Sequence, residues 1–70
     1  MLIRLDDPSL VDDLCAHFRR SGFTAHRVRG IMVEVARPDA PTQRQAELEI
    51  RTHLGIWRIF NPNKNVELIL

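Results

Sequence analysis

The 70-residue chain has a single cysteine, Cys15, a single lysine, Lys64, and no long hydrophobic run. One cysteine closes no internal disulfide and builds no cysteine-based metal site, and it points to a reducing compartment. The opening stretch MLIRLDDP has no basic region followed by an apolar segment. Neither a signal peptide nor a membrane span is expected, and the expected location is cytoplasmic. An excess of one charge is also missing. Ten basic residues against nine acidic ones leave a formal net charge of +1, so no overall basic field points to nucleic acid. Repeats, linkers and low-complexity segments are absent from the sequence. So is any arrangement of nucleophile, base and orienting group. Ser9 and Ser21 lack such partners, and Cys15 falls on an apolar stripe with no basic residue expected close enough to lower its pKa. No catalytic residue and no cofactor is expected, and the chain is read as non-enzymatic.

What is present suits one small ordered domain spanning residues 1–70. Hydrophobic residues make up 44% and charged residues 27%, which argues against disorder. A chain this short buries a modest core, so oligomerisation is a common source of added stability. MLIRL reads as a strand, cut off by Asp6, Asp7 and Pro8. A helix follows. Asp7 suits its N-cap, Pro8 its first position, and Leu10, Leu14 and Phe18 its apolar stripe, with Val11 and Cys15 alongside. Asp12 and Asp13 are expected on its solvent side. Gly22 suits the left-handed position that ends a helix, with Phe23 supplying the hydrophobic contact. FTAHRVRGIMVEVA reads as a hairpin turning at Arg29-Gly30, its first strand polar and edge-like. Thr42 and Gln45 match a capping box for a second helix. Ala46, Ile50, Leu54 and Trp57 form its stripe, with His53 and Phe60 at the margin. Because Trp57 and Phe60 stay in phase beyond Gly55, one uninterrupted helix is expected. NPNKN is a turn, and VELIL a last strand with Val66, Leu68 and Leu70 inward.

The order is strand, helix, strand, strand, helix, strand. With right-handed crossovers it gives an α+β, ferredoxin-like βαββαβ fold: an antiparallel four-stranded sheet, order 4-1-3-2, with two helices on one face. This topology groups the candidate residues. Asp6, Asp7, Pro8, Arg29, Asn61 and Asn63 fall at one end of the sheet as a candidate ligand or partner loop, with Lys64 beside the Asp pair. Arg19, Arg20 and Arg37 fall at the other end as a basic patch. Leu2, Arg4, Met32, Glu34, Glu67 and Ile69 fall on the open sheet face, where Arg4 is expected to pair with glutamates on its neighbours. A half-apolar open face suggests a homodimer or another protein as partner. Leu48, Gly55 and Ile59 cluster opposite the stripe of the second helix, which again suggests a protein contact. Asp13–His17 and Glu49–His53 are pairs four residues apart. If their helix flanks face each other, they form a candidate divalent metal set. Trp57, Phe18, Phe23 and Phe60 are read as core, with the Trp57 N–H directed to the NPNKN turn. The central strands show Leu2, Arg4, Met32 and Glu34 outward, not the aromatics on which an RNA-binding sheet stacks bases.

DDPSLVDDLCAHFRRSGFTAHRV resembles the first loop and helix of ACT-like regulatory domains, which often read Asp-x-Pro-Gly-x-Leu and then a Leu-rich helix ending near a Gly. Ser9 stands where that family has Gly. The resemblance covers about a third of the chain and implies an amino-acid sensor using Asp6, Asp7 and Pro8. The chain looks equally like a stand-alone bacterial ferredoxin-like protein. The expected function is a binding or regulatory module acting by protein contact or self-association. The alternatives are an ACT-like small-ligand sensor and a divalent metal-binding protein.

Overall fold

The computed structural model describes residues 1–69. Leu70, expected on the inward row of the last strand, lies outside the described residues. The chain runs β1 (Leu2–Leu5), α1 (Val11–Arg20), β2 (Thr24–Arg29), β3 (Met32–Ala36), α2 (Gln43–Phe60) and β4 (Val66–Ile69). The four strands form one antiparallel sheet in the order β2-β3-β1-β4, the expected order read from its other edge.

Register separates the two sheet faces. Ile3 lies opposite Val33 and Leu68, and Ala25 opposite Val35. Ile3, Val33, Ala25 and Val35 of this row are buried together with Leu5, and they receive Val11, Leu14, Cys15 and Phe18 of α1 and Ile50, Leu54 and Trp57 of α2 in a single cluster. Val66 and Leu68 pack against it, as expected. The alternate row places Leu2 opposite Glu34 and Ile69, and Arg4 opposite Met32 and Glu67. The open face therefore carries the six residues expected there.

Local chemistry explains how the elements begin and end. Asp7 is a cap, but of a single 3₁₀ turn at Pro8–Leu10; the α-helix starts at Val11. Its carboxylate accepts from the Ser9 N–H at 3.0 Å and the Ser9 hydroxyl at 2.6 Å, which tightens the entry. At the other end Gly22 adopts φ +90°. The Phe23 N–H donates to the Phe18 carbonyl at 3.0 Å and the Gly22 N–H to Arg19 at 3.2 Å, the two bonds of a Schellman ending. The Phe18 and Phe23 rings meet edge-on at 5.2 Å. Thr42 accepts from the Gln45 N–H at 3.0 Å, but the Gln45 side chain turns to Glu49 instead of closing the capping box.

Three expectations are corrected. The hairpin turns one residue later than expected, at Gly30-Ile31, with Gly30 at φ +51°. A register shift between Arg27 and Arg29 absorbs Val28 as a bulge and delays the turn. α2 runs unbroken through Gly55, as expected, but Phe60 is 78% exposed and not core. Eighteen helical residues reach about 27 Å, whereas a four-residue strand covers about 13 Å, so the end of α2 passes beyond the sheet. Trp57 is core, but its N–H does not reach the NPNKN turn. It donates to Asp13 Oδ2 of α1 at 2.8 Å, which also takes Asp13 out of the purely solvated face.

Candidate functional site

The loop end of the sheet is built from the β1–α1 junction, the hairpin and the segment before β4. The Leu5 N–H donates to the Ile31 carbonyl at 2.9 Å and the Asp6 N–H to the Asn65 carbonyl at 3.2 Å. These bonds draw the three segments together. Lys64 reaches Asp7 at 3.0 Å, the expected pairing. Arg29 does not join it: at the end of β2 it is exposed and makes no ion pair among the described residues. Asn61 closes α2, its side chain donating to the Trp57 carbonyl at 3.0 Å. Asn63 is exposed. The Pro8 carbonyl lies 3.4 Å from an Arg27 donor. An open depression of about 630 Å³ at this end is lined by Arg4, Asp6, Ile31, Arg58 and Asn65, among others.

Asp7 is the most strongly held group here. Hydrogen bonds from the Ser9 hydroxyl, from Lys64 and from the Ser9 backbone lower its pKa from 3.8 to about 2. It stays an anion at any pH near neutrality. Its oxygens are occupied, so it ties the start of α1 to the loop before β4 and is not a proton donor. A depressed carboxyl contributes stability above its ordinary pKa, and the contribution fades as pH falls through the folded-state value. Asp7→Asn keeps a capping oxygen and removes the charge. The wild type is expected to melt above this variant at pH 7, and the gap is expected to close as the pH falls from 3.8 to about 2. Circular dichroism melts across that range measure it.

The helix flanks do face each other. His17 Nε2 lies 3.0 Å from the His53 carbonyl, which only accepts, so this nitrogen carries a proton and donates. The rings are 6.0 Å apart, and His53 meets the Phe23 ring at 5.1 Å. His53 Nδ1 is buried without a hydrogen-bond partner among the described residues. The carboxylates expected beside the two histidines go elsewhere. Asp13 accepts from Trp57, and Glu49 takes Gln45 at 3.2 Å and Arg37 at 3.5 Å. Among the described residues no group of three or more His, Cys, Asp or Glu side chains is placed to hold a metal ion. Asp13, His17, Glu49 and His53 are therefore drawn to separate partners and do not form one ligand set.

The far end is organised by Arg37, not by a free basic patch. Its guanidinium donates to the Ser21 carbonyl at 2.8 Å and pairs with Asp39 at 3.2 Å. It also lies 4.8 Å from the centre of the Phe23 ring. Arg19 donates to the Ala25 carbonyl at 2.8 Å. The Cys15 thiol is pushed up by burial, which outweighs the opposite pull of Arg19 and Arg27; both lie closer than expected. A raised thiol is a poor nucleophile.

Two surfaces carry apolar area. On the open sheet face Arg4 pairs with Glu67, whereas Glu34 takes the Met1 amine at 2.8 Å and not Arg4. Leu2, Met32 and Ile69 there are only partly exposed. The outward side of α2 is more open: Leu48 is 51% and Ile59 74% exposed, with Ile56 also exposed, and Phe60 adds 78% exposure at the helix end beyond the sheet. Leu48 and Ile59 were legible from their position opposite the stripe. The Trp57–Asp13 bond was not, although a buried indole N–H usually finds a partner. Among the described residues no helix is long and apolar enough to cross a membrane. Neither family models, nor curated proteins, nor solved structures give a match to the chain.

Proposed function

We propose that the protein is a non-enzymatic module of ferredoxin-like topology that works by protein contact, with self-association through α2 as its simplest form. The observation that carries this is the outward side of α2. Leu48, Ile56 and Ile59 are exposed there, and Phe60, in phase with the core stripe, is exposed where α2 passes beyond the sheet. A helix that covers only a small core is normally polar there. Apolar side chains grouped on a rigid element, not scattered singly, mark an interaction surface. The depression at the loop end is open to solvent and is lined by Arg4 and Glu67, which already pair with each other, which favours contact over chemistry.

The test is sedimentation velocity at micromolar to submillimolar concentration. The wild type is expected to form a dimer, and the double variant Ile59→Glu with Phe60→Glu is expected to stay monomeric with its melting temperature nearly unchanged. Both side chains are exposed, so the fold loses little. A wild type that remains monomeric throughout would overturn self-association. Loss of the dimer in Met32→Asp instead would move the interface to the open sheet face.

A further inference from the structure

The two outermost strands each have one side without a neighbouring strand, and an unprotected strand edge is a template for another strand. The two edges are not equivalent. On β2 the outward carbonyl of Ala25 is taken by Arg19, which reaches across from α1. Arg27 of the same strand leans over to Pro8. On that edge one cation of the chain takes a backbone carbonyl and a second reaches across to the β1–α1 junction.

On β4 the edge is open. The Leu5 N–H donates to Ile31 and the Met1 carbonyl accepts from Val35, so the odd-numbered residues of β1 bond to β3. Its even-numbered residues then bond to β4, as the Asp6 to Asn65 bond shows. Arg4 lies opposite Glu67 and Leu2 opposite Ile69. Glu67 and Ile69 therefore face β1, and the N–H and C=O groups of Val66 and Leu68 face away from the sheet. None of these four groups bonds to another backbone group among the described residues. Beside them runs a groove of about 320 Å³, walled by Arg51, Leu54, Gly55 and Arg58 of α2. A Cβ built on Gly55 meets nothing within 4 Å.

We propose that the β4 edge and the α2 wall above it form a strand-acceptor site for an extended acidic segment of a partner protein. The backbone groups dictate an extended occupant, because only a strand presents donors and acceptors at the matching spacing. The wall dictates its charge. Arg58 has no carboxylate partner among the described residues, and Arg51 pairs only with Glu47 one turn away on its own helix. Side chains of an added strand alternate between faces. Those on the helix side meet Val66 and Leu68 below and Arg51 and Arg58 above, so an apolar residue flanked by carboxylates fits. A second copy of β4 does not fit. Strands about 4.8 Å apart carry helices about 10 Å apart, so pairing β4 with β4 sets the cationic α2 flanks of two copies against each other.

The site rests on the reading of this protein as a contact module, but not on its self-association. The test therefore uses the Ile59→Glu, Phe60→Glu double variant, whose peptide binding is expected to match the wild type. The probe is the peptide acetyl-Glu-Thr-Val-Thr-Glu-Thr-amide, followed by amide chemical shifts. Val66, Leu68 and Gly55 are expected to shift most. The same peptide with Lys for Glu is expected to bind at least about tenfold more weakly, the scale of one charge-assisted hydrogen bond. N-methylation of one alternate set of peptide amides is expected to abolish binding, and methylation of the other set to leave it. Arg58→Glu is expected to reverse the preference for charge. Gly55→Leu fills the groove and is expected to lose binding while melting no lower, because Leu is the better helix former. Equal binding of the acidic and basic peptides would overturn the proposal. So would equal tolerance of both methylation patterns, shifts centred on β2, or no shifts at submillimolar peptide.

Discussion

Phe18→Ala is expected to leave most of the population unfolded at room temperature. The side chain is fully buried, and its ring meets Phe23 at 5.2 Å and His17 at 5.5 Å, both edge-on. Truncation removes the largest fully buried side chain of the core and leaves a cavity that α1 and the sheet cannot easily close. Changes of this kind cost about 3–5 kcal/mol. A domain of this size has a total stability of about that amount. The loss also reaches past the core. Phe18 also supplies the ring that Phe23 packs against edge-on, so the contact that seals the helix ending is lost together with the core packing. Urea titration followed by circular dichroism measures the effect. A midpoint within experimental error of the wild type would contradict the single shared core.

Gly22→Ala is expected to cost about 2 kcal/mol, much more than the usual effect of adding a methyl group at a surface turn. Two independent causes add. At φ +90° a Cβ is strained whatever surrounds it, and here it would lie 2.9 Å from Arg37 Nη1. Arg37 is a flexible side chain, but it is held by Ser21, Asp39 and Glu49 and rests on Phe23. Moving it gives up those contacts. A double-mutant cycle with Arg37→Ala separates the causes. The backbone part is expected to persist in the Arg37→Ala background, and the steric part to vanish. A single variant as stable as the wild type would show that the turn relaxes out of its left-handed conformation at little cost.

Both expectations rest on features legible along the chain. The Asp7-Pro8 step, the Gly22-Phe23 ending and the alternation through Val33 and Val35 are local. Each residue there is chosen by backbone chemistry within a few positions. The continuation of α2 through Gly55 was legible too, because the apolar stripe keeps its phase across it. What escaped depends on distances that periodicity does not encode. Phe60 stays in phase with Trp57, yet the sheet ends before it, and only the relative lengths of α2 and β4 reveal that. Val28 is one unpaired residue in a strand that looks regular in sequence, so strand alternation alone puts the turn one step early. At the candidate sites topology and charge set Lys64 beside Asp7, where it stands. Arg29 stands apart from Asp7, because the bulge delays the end of β2. Asp13, His17, Glu49 and His53 share helix flanks as expected, but each carbonyl, indole and guanidinium nearby competes for them. The open edge of β4 had no sequence signal of its own. It follows from which alternate residues of β1 bond to β3.

The bond between Trp57 and Asp13 gives the molecule its own optical reporter. There is one tryptophan and no tyrosine, so ultraviolet emission comes from a single indole. That indole is buried between the two helices, and its N–H is held by a carboxylate on the other helix, 44 positions away in sequence. Its emission therefore reports the docking of α2 onto α1 and onto the shared core. A spectrum that moves to longer wavelength before the strand signal is lost would time the separation of the helix layer from the sheet in unfolding. Asp13→Asn would recolour the native state itself by replacing an anionic acceptor with a neutral one.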